Sequence, residues 1–337
     1  MADSTLPPFI QALLKPEAYP HPAPEITLVQ THISYVLLAG DCVYKIKKPV
    51  DFGFLNFTSL EQRKHFCEEE LLLNRRLCPS LYLGLAAITG QDGAFSLDGA
   101  GAPVEYAVKM ARMPEERMMA RVIAQGGLSK EILDRIIAIL VPFYAKAESG
   151  PGIEQFGTAQ AVSVNVLENF EQTQGFVGCA ALSQGQFEAI SSYARDFLTH
   201  EDLFAGRIAA GRVRDCHGDL YSANICLADE IYIYDCIEFN QRFRYCDVAS
   251  DVAFLAMDLD FHGLPELSGY FIDKFCRAAG DTTLLPMLNF YKCYRAYVRG
   301  KIGLFTAHAP EVDPATAENC LALAKKYFAL AERYAAS

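Results

Sequence analysis

The sequence predicts an α+β chain in two parts, an antiparallel β-rich segment followed by a mainly helical one. Three observations carry that prediction. Ser34-Tyr35-Val36-Leu37-Leu38-Ala39 and Cys42-Val43-Tyr44-Lys45-Ile46-Lys47 read as two strands joined by a tight turn at Gly40-Asp41. Residues 82–89 and 105–110, separated by a Gly-rich turn, supply further strands. Beyond them apolar residues recur at helical spacing, clearest over 128–146 and 183–198. The 337 residues therefore divide into a first lobe, 1-112, and a second, 113-337.

Taken in order, residues 1–25 are Pro-rich around a short helical piece at 9–14 and read as a lead-in. After the first hairpin, Thr58-Ser59-Leu60-Glu61 reads as a capping box opening a helix that runs to Pro79. Phe66, Leu73 and Leu77 form its apolar stripe, with Glu69 and Glu70 beside it. Met110-Ala111-Arg112-Met113-Pro114 links the last strand of this part to the first helices. A looser stretch rich in Phe and Gln, Gly150-Pro151-Gly152 and then 165–178, interrupts the helical part and is a candidate substrate loop. Later helices are expected near 264–279 and 284–306, and a last one with Asp313 as its cap and Pro314 in its first position.

Composition narrows the function classes. No run of eighteen apolar residues exists, so no membrane-spanning helix is expected. The first residues lack a basic n-region and an apolar h-region, which argues against secretion. Eleven cysteines, an odd number, fit a reducing cytosol better than a disulfide framework, so a cytoplasmic location is expected. Cys216, Cys226, Cys236 and Cys246 recur every ten residues, but no C-x-x-C pair accompanies them and the spacing reads as coincidence. A formal charge of −11 argues against nucleic acid or an anionic membrane as partner.

The chemistry concentrates in one stretch. Cys216-His217-Gly218-Asp219-Leu220-Tyr221-Ser222-Ala223-Asn224-Ile225 is a Gly-containing loop carrying His217, Asp219 and Asn224. A short strand, a turn at Ala228-Asp229-Glu230 and the apolar run Ile231-Tyr232-Ile233-Tyr234 follow, ending on Asp235. Such a hairpin brings the loop before its first strand beside the end of its second, so Asp219, Asn224 and Asp235 are expected to meet. Two carboxylates and a carboxamide suit Mg2+, which takes one or two protein carboxylates plus phosphate oxygens. The bland alternative is a turn whose Asp and Asn bond only their own backbone. The order and spacing of Asn224 and Asp235 weigh against it. They match the parts of phosphoryl transfer, where a loop Asp accepts the substrate hydroxyl proton and an Asn and a later Asp hold metal on the nucleotide phosphates.

On these residues the chain resembles the aminoglycoside phosphotransferase and choline kinase-like group, whose H-G-D-L-x-x-x-N form replaces the H-R-D-L-x-x-x-N form of protein kinases. The resemblance implies a protein-kinase-like two-lobe fold, an antiparallel β-rich N-lobe plus a mainly helical C-lobe, binding ATP and Mg2+. The catalytic loop, 215-226, would carry Asp219 as the base with His217 and Asn224 beside it, and Asn224 and Asp235 would hold the metal. Strand alternation puts Lys45 and Lys47 on one face and leaves them tied. Resemblance to the V-A-I-K lysine favours Lys45, with Glu70, ahead of Glu69, as its helix partner. Ser34, within Thr31-His32-Ile33-Ser34, takes the phosphate-covering place. Met110 and Met113 mark the hinge whose backbone reads the adenine edge, and both also fit as plain core.

Asp51-Phe52-Gly53 spells D-F-G but lies before the H-G-D loop, where the kinase order has no metal site, so Asp51 is read as a loop residue. Asp247-Val248-Ala249-Ser250-Asp251 resembles D-x-x-x-D-L-A, whose second Asp braces the catalytic loop. The spacing of Glu238 from Asp235 departs from the D-x-E of choline kinase relatives and argues against a second metal role. Asp258, Asp260 and His262 are candidates to face the acceptor. Val43-Tyr44-Lys45-Ile46-Lys47-Lys48-Pro49-Val50-Asp51-Phe52-Gly53-Phe54 and Tyr234-Asp235-Cys236-Ile237-Glu238-Phe239-Asn240 further resemble an uncharacterised bacterial branch of this group. Members of it often carry a C-terminal P-loop domain; no G-x-x-x-x-G-K-[ST] occurs here, so that second activity is expected to be absent from this chain or to sit on another polypeptide. The expected function is transfer of the ATP γ-phosphate to a hydroxyl of a small-molecule acceptor. The alternatives are a nucleotide-binding pseudokinase, or nucleotidyl transfer to protein by the same fold.

Overall fold

Alternating apolar residues in the first third of the chain build one six-stranded antiparallel sheet of order β1-β2-β3-β6-β4-β5. Its strands are β1 (Ile26–Gln30), β2 (Ser34–Ala39), β3 (Cys42–Lys47), β4 (Tyr82–Gln91), β5 (Ala94–Leu97) and β6 (Ala102–Ala111). Later come β7 (Val213–Asp215), β8 (Ile225–Leu227), β9 (Ile231–Ile233) and β10 (Tyr245–Asp247). The helices, in order, are α1 (Pro8–Leu13), α2 (Leu60–Asn74), α3 (Met119–Ala124), α4 (Lys130–Lys146), α5 (Pro151–Glu154), α6 (Ala159–Thr173) and α7 (Gln184–Phe197). They continue with α8 (Glu201–Ala209), α9 (Gln241–Arg244), α10 (Val248–Phe261), α11 (Pro265–Ala279), α12 (Leu288–Ala307) and α13 (Pro314–Ala335). The computed structural model describes residues 6–310 and 312–337; Met1–Thr5, part of the lead-in read for a secretion signal, and Glu311 lie outside it.

The described residues fall into two units. The first comprises the chain up to Met118 together with Ile225–Gln241; the second comprises Met119–Asn224 and Arg242–Ser337. The sequence reading drew one cut after residue 112 and left the β8–β9 hairpin in the second lobe. Contacts group that hairpin with the sheet. The reason is local: Cys78 Sγ donates to the Ile233 carbonyl at 3.3 Å, and Arg117 Nε donates to the Leu227 carbonyl at 2.8 Å.

Within the first unit, β3 shows why alternation matters. Tyr44 and Ile46 point to a core shared with Ile10 and Leu13 of α1 and with Tyr19, so the Pro-rich lead-in covers one face of the sheet. Val43 points the other way, toward Cys67 and Leu71 of α2, and Val108 and Met110 of β6 join that cluster. A capping box opens α2 one residue later than the Thr58–Glu61 reading: the Ser59 hydroxyl accepts from Gln62 N at 3.2 Å. The helix ends at Asn74, short of Pro79, and its inner face is not the expected Phe66–Leu73–Leu77 stripe. Arg63, Cys67, Glu70, Leu71, Leu73 and Asn74 are buried; of the expected stripe Leu73 faces inward, Phe66 is half-buried, and Leu77 is buried but lies past the helix. A helix that covers charged strand residues presents polar partners inward, which an apolar-periodicity reading does not detect.

The second unit is helical. In α10 every residue from Val248 to Leu259 is buried, which marks it as a central helix enclosed on all sides. Ser129, Ser183 and Asp313 cap α4, α7 and α13, and Pro314 opens α13 as read from the sequence. Among the described residues no helix is long and apolar enough to cross a membrane.

Candidate active site

In the first unit, two lysines and three carboxylates assemble around β3. Its side chains alternate, so Lys45 and Lys47 project from the same face. Both reach Glu70 of α2: Lys45 Nζ lies 2.9 Å from Oε1 and Lys47 Nζ 2.8 Å from Oε2. Lys45 also lies 2.5 Å from Asp235 Oδ1, and Lys47 pairs with Glu238. The tie between the lysines thus reflects a shared partner, and Glu69 is not that partner. Exposure separates them. The Lys47 side chain is 1% exposed, Lys45 17% and Asp235 42%, so the Lys45–Asp235 pair is the one that solvent or a ligand can reach.

Charge follows from this packing. Burial acts to raise the Glu70 carboxyl, but Lys45 and Lys47 overcome it and hold it at about 2. Burial acts to lower Lys45, and the Asp235 and Glu70 carboxylates push it well above the usual lysine value. Glu238 is shifted upward, because burial outweighs the pull of Lys47.

The segment that carries Asp235 is pinned. Asp235 has φ +63°, in the left-handed region that an Asp tolerates better than most residues. Its N–H donates to the Tyr82 hydroxyl at 3.2 Å, and the next N–H, of Cys236, donates to Asn74 Oδ1 at 2.8 Å. Asn74 in turn donates to the Glu70 carbonyl at 2.8 Å. The last turn of α2 therefore holds both the lysine partner and the aspartate segment.

Two nucleotide-site expectations, Ser34 and Met110, look different in the structure. Ser34 is fully buried opposite Lys47 in the β2–β3 register, and its hydroxyl has no hydrogen-bond partner among the described residues. That side chain does not face solvent as a phosphate-covering group must. Met110 is core, paired with Val43 on one side and Tyr82 on the other, so its backbone belongs to the sheet ladder. Met113, half-buried against the same cluster, lies just past the ladder, where backbone groups are no longer committed to strands. Asp51 sits in a loop, accepting from Gly53 N at 2.8 Å, in keeping with its reading as a decoy.

In the second unit the loop after β7 is held from several directions. Asp251 is fully buried and accepts from the N–H groups of His217 and Gly218 at 2.7 and 2.9 Å. Arg295 Nη1 donates to the Gly218 carbonyl at 2.9 Å. Gly218, at φ +88°, makes the turn between them. His217 is fully buried, and its Nδ1 accepts from Asp219 N at 3.2 Å, a contact within the loop. Asn224 Nδ2 donates to Asp219 Oδ2 at 2.9 Å and to the Asp219 carbonyl at 3.0 Å. Asp219 itself is partly exposed.

The candidate acceptor carboxylates are occupied. Asp258 accepts from Ser222 N at 3.0 Å, and Asp260 pairs with Lys292 at 2.8 Å. His262 Nε2 lies 3.7 Å from Asp258. Sequence reasoning ranked Lys47 below Lys45 and set Glu238 aside on its spacing from Asp235, and it did not bring in Asn74, Tyr82 or Arg295, because their partners lie far along the chain.

Among the described residues no group of three or more His, Cys, Asp or Glu side chains forms a metal cage. Mg2+ needs no such cage, since that ion relies on one or two carboxylates and on the oxygens of a bound phosphate. Asp235 offers an exposed carboxylate. In Asn224 the amide nitrogen is turned to Asp219, which leaves the amide oxygen as the end suited to a cation.

No protein-family model matches the chain. Uncharacterized proteins of Mycobacterium tuberculosis and Mycobacterium bovis are each 35% identical over 281 residues, covering 83% of this chain and 55% of theirs. The chain thus spans about half the length of these curated relatives. Among solved structures, a choline/ethanolamine kinase family protein from Mesorhizobium loti superposes with TM-score 0.53 at 12% identity over 97% of both chains. The GDP and kanamycin complex of APH(2")-IIia gives 0.51 at 14% identity, over 92% of this chain and 95% of that one. An amicoumacin kinase in complex with AMP-PNP, Ca2+ and Ami gives 0.52 at 12%, over 94% and 89%. The chain has the fold of these aminoglycoside phosphotransferase and choline kinase-like structures, a β-sheet lobe and a mainly helical lobe.

Proposed function

We propose that this chain, placed by its fold among the aminoglycoside phosphotransferase and choline kinase-like proteins, transfers the γ-phosphate of ATP to a hydroxyl of a small molecule. The observation that carries the reading is the Lys45 ammonium bridging Glu70, from a helix 25 residues on, and Asp235, just past a hairpin strand and 190 residues beyond Lys45. A lysine so placed, with a reachable carboxylate beside it, suits a triphosphate and its metal ion. Asp235 and Asn224 would hold Mg2+, which supplies charge neutralisation on the phosphates when bound. Asp219 would orient the acceptor hydroxyl and take its proton, its carboxylate fixed by the Asn224 amide. Three solved neighbours are complexes or members of small-molecule kinase families, which supports the reaction class and leaves the acceptor to experiment.

The test uses the purified chain and γ-labelled ATP with a library of hydroxyl-bearing metabolites. Asp219→Asn is expected to bind Mg·ATP like the unaltered chain and to lose transfer by about 100-fold or more, the scale of a general base. Asp235→Ala is expected to lose Mg-dependent nucleotide binding. Equal turnover by Asp219→Asn would sink the base assignment, and failure of the unaltered chain to bind Mg·ATP would sink the reading. Label transferred from the α-phosphate instead would show nucleotidyl transfer.

A further inference from the structure

We propose that Lys47 and Glu238 form a buried positioning pair that holds Glu70 and the segment after Asp235 in place while Lys45 and Asp235 exchange each other for nucleotide and metal. The inference rests on the phosphotransferase reading and adds to it two residues that the reaction scheme does not use.

The first argument is connectivity. Glu70 gives one carboxylate oxygen to each lysine, so Lys47 occupies the side of Glu70 that Lys45 leaves open. Glu238 stands three residues past Asp235 and meets Lys47, which ties the far end of the aspartate segment back to β3. With Tyr82 on Asp235 N and Asn74 on Cys236 N, the segment is held to β4, α2 and β3. The left-handed backbone of Asp235 needs such restraint, because surrounding structure must over-determine a conformation of this kind.

The second argument is energetic. Lys47, Glu70 and Glu238 side chains are 1%, 0% and 4% exposed. Burying charges costs several kcal/mol per ion, and well-packed apolar replacements of such pairs are often as stable or more so. Stability therefore does not account for the pair; a defined geometry does.

The third argument is charge balance through ligand exchange. When Lys45 turns to a phosphate and Asp235 to a cation, Glu70 would be left as an uncompensated buried carboxylate if Lys45 were its sole partner. Lys47 supplies the second positive charge, which stays in place because it is sealed from solvent.

The experiment measures Mg2+-dependent binding of AMP-PNP, a non-hydrolysed probe, by calorimetry, alongside circular dichroism and thermal melts. Two variants are compared with the unaltered chain: Glu238→Gln, which keeps shape and removes one charge, and Lys47→Met with Glu238→Met, which replaces the pair by apolar groups. Both are expected to raise the Mg2+ concentration needed for half-maximal binding by roughly 10- to 100-fold, the scale seen when residues that orient metal ligands are removed. The double variant is expected to melt close to the unaltered chain. Either variant, folded and binding as the unaltered chain does, overturns the proposal. So does a double variant that fails to fold while Glu238→Gln binds normally, since the pair would then be structural only. A double variant that fails to fold while Glu238→Gln weakens binding supports it. Absence of AMP-PNP binding by the unaltered chain overturns the phosphotransferase reading instead.

Discussion

Asp251 shows how much one buried carboxylate can organise. It accepts two backbone N–H bonds from the loop and the Tyr144 hydroxyl at 3.2 Å, and Arg295 stands 3.8 Å away. Asp251→Ala leaves those donors without an acceptor in a dry interior, each costing about 1–3 kcal/mol, and strands the Arg295 charge. The expected loss is on the order of 4 kcal/mol in denaturant unfolding. A variant that unfolds at the same denaturant concentration as the unaltered chain would mean that the loop is held by other contacts. The pattern Asp247-x-x-x-Asp251 made both aspartates legible as supports, since capping and bracing follow from short-range position: Asp247 caps α10 by accepting from Ala249 N at 2.8 Å. Its bidentate pairing with Arg207 was not legible, and neither was Lys47 with Glu238, whose partners are 40 and 191 residues apart. Pairings of that kind depend on where the chain returns, which local pattern does not encode.

At the scale of elements, the same division holds between what is local and what is packed. The β2–β3 hairpin, the start of α2 and the capped start of α13 were readable because a turn or a cap fixes each from within a few residues. The inner face of α2 was not, because it is chosen by the charged strand face it covers. Packing of α12 on α13 is another feature decided by partners. Gly300 lies where an added Cβ would stand 2.8 Å from the Phe328 ring, and that ring is fully buried and edge-on to Tyr297 at 5.0 Å. Gly300→Ala gains up to about 1 kcal/mol of helix propensity but overpacks the contact by about 1–3 kcal/mol, so destabilisation wins. Gly269 in α11 is the internal contrast, exposed and with nothing within 4 Å of its added Cβ. Gly269→Ala is expected to raise the thermal midpoint and Gly300→Ala to lower it. Shifts of the same sign would mean that propensity outweighs packing at the α12–α13 contact.

At the scale of the whole molecule, the buried thiols and phenols set how the chain responds to alkali. All eleven cysteines are free, and seven are buried. Burial pushes the Cys67 and Cys293 thiols up to about 12 and Cys276 up to about 11, from an ordinary value of 9.0. It drives Tyr144 and Tyr291 well above the ordinary tyrosine range too. Below the unfolded values both states keep these protons, and the stability they confer is fully present. As pH rises past about 9, the unfolded chain releases protons that the folded chain retains, so the unfolded state binds fewer and stability falls. Lys301 acts in the opposite sense: burial pulls it down to about 8 from 10.5, so over that window the unfolded chain binds the extra proton and stability gains with pH. One lysine stands against several thiols and phenols, and the net direction is downward. The thermal midpoint, measured with a reductant present, is expected to fall steadily between about pH 9 and about pH 11. Lys301→Met, which removes the opposing group, should make the fall steeper. A midpoint that holds level or climbs over this interval would show that these interior thiols ionise as readily in the fold as in water, and the burial that sets their protonation would have to be read again.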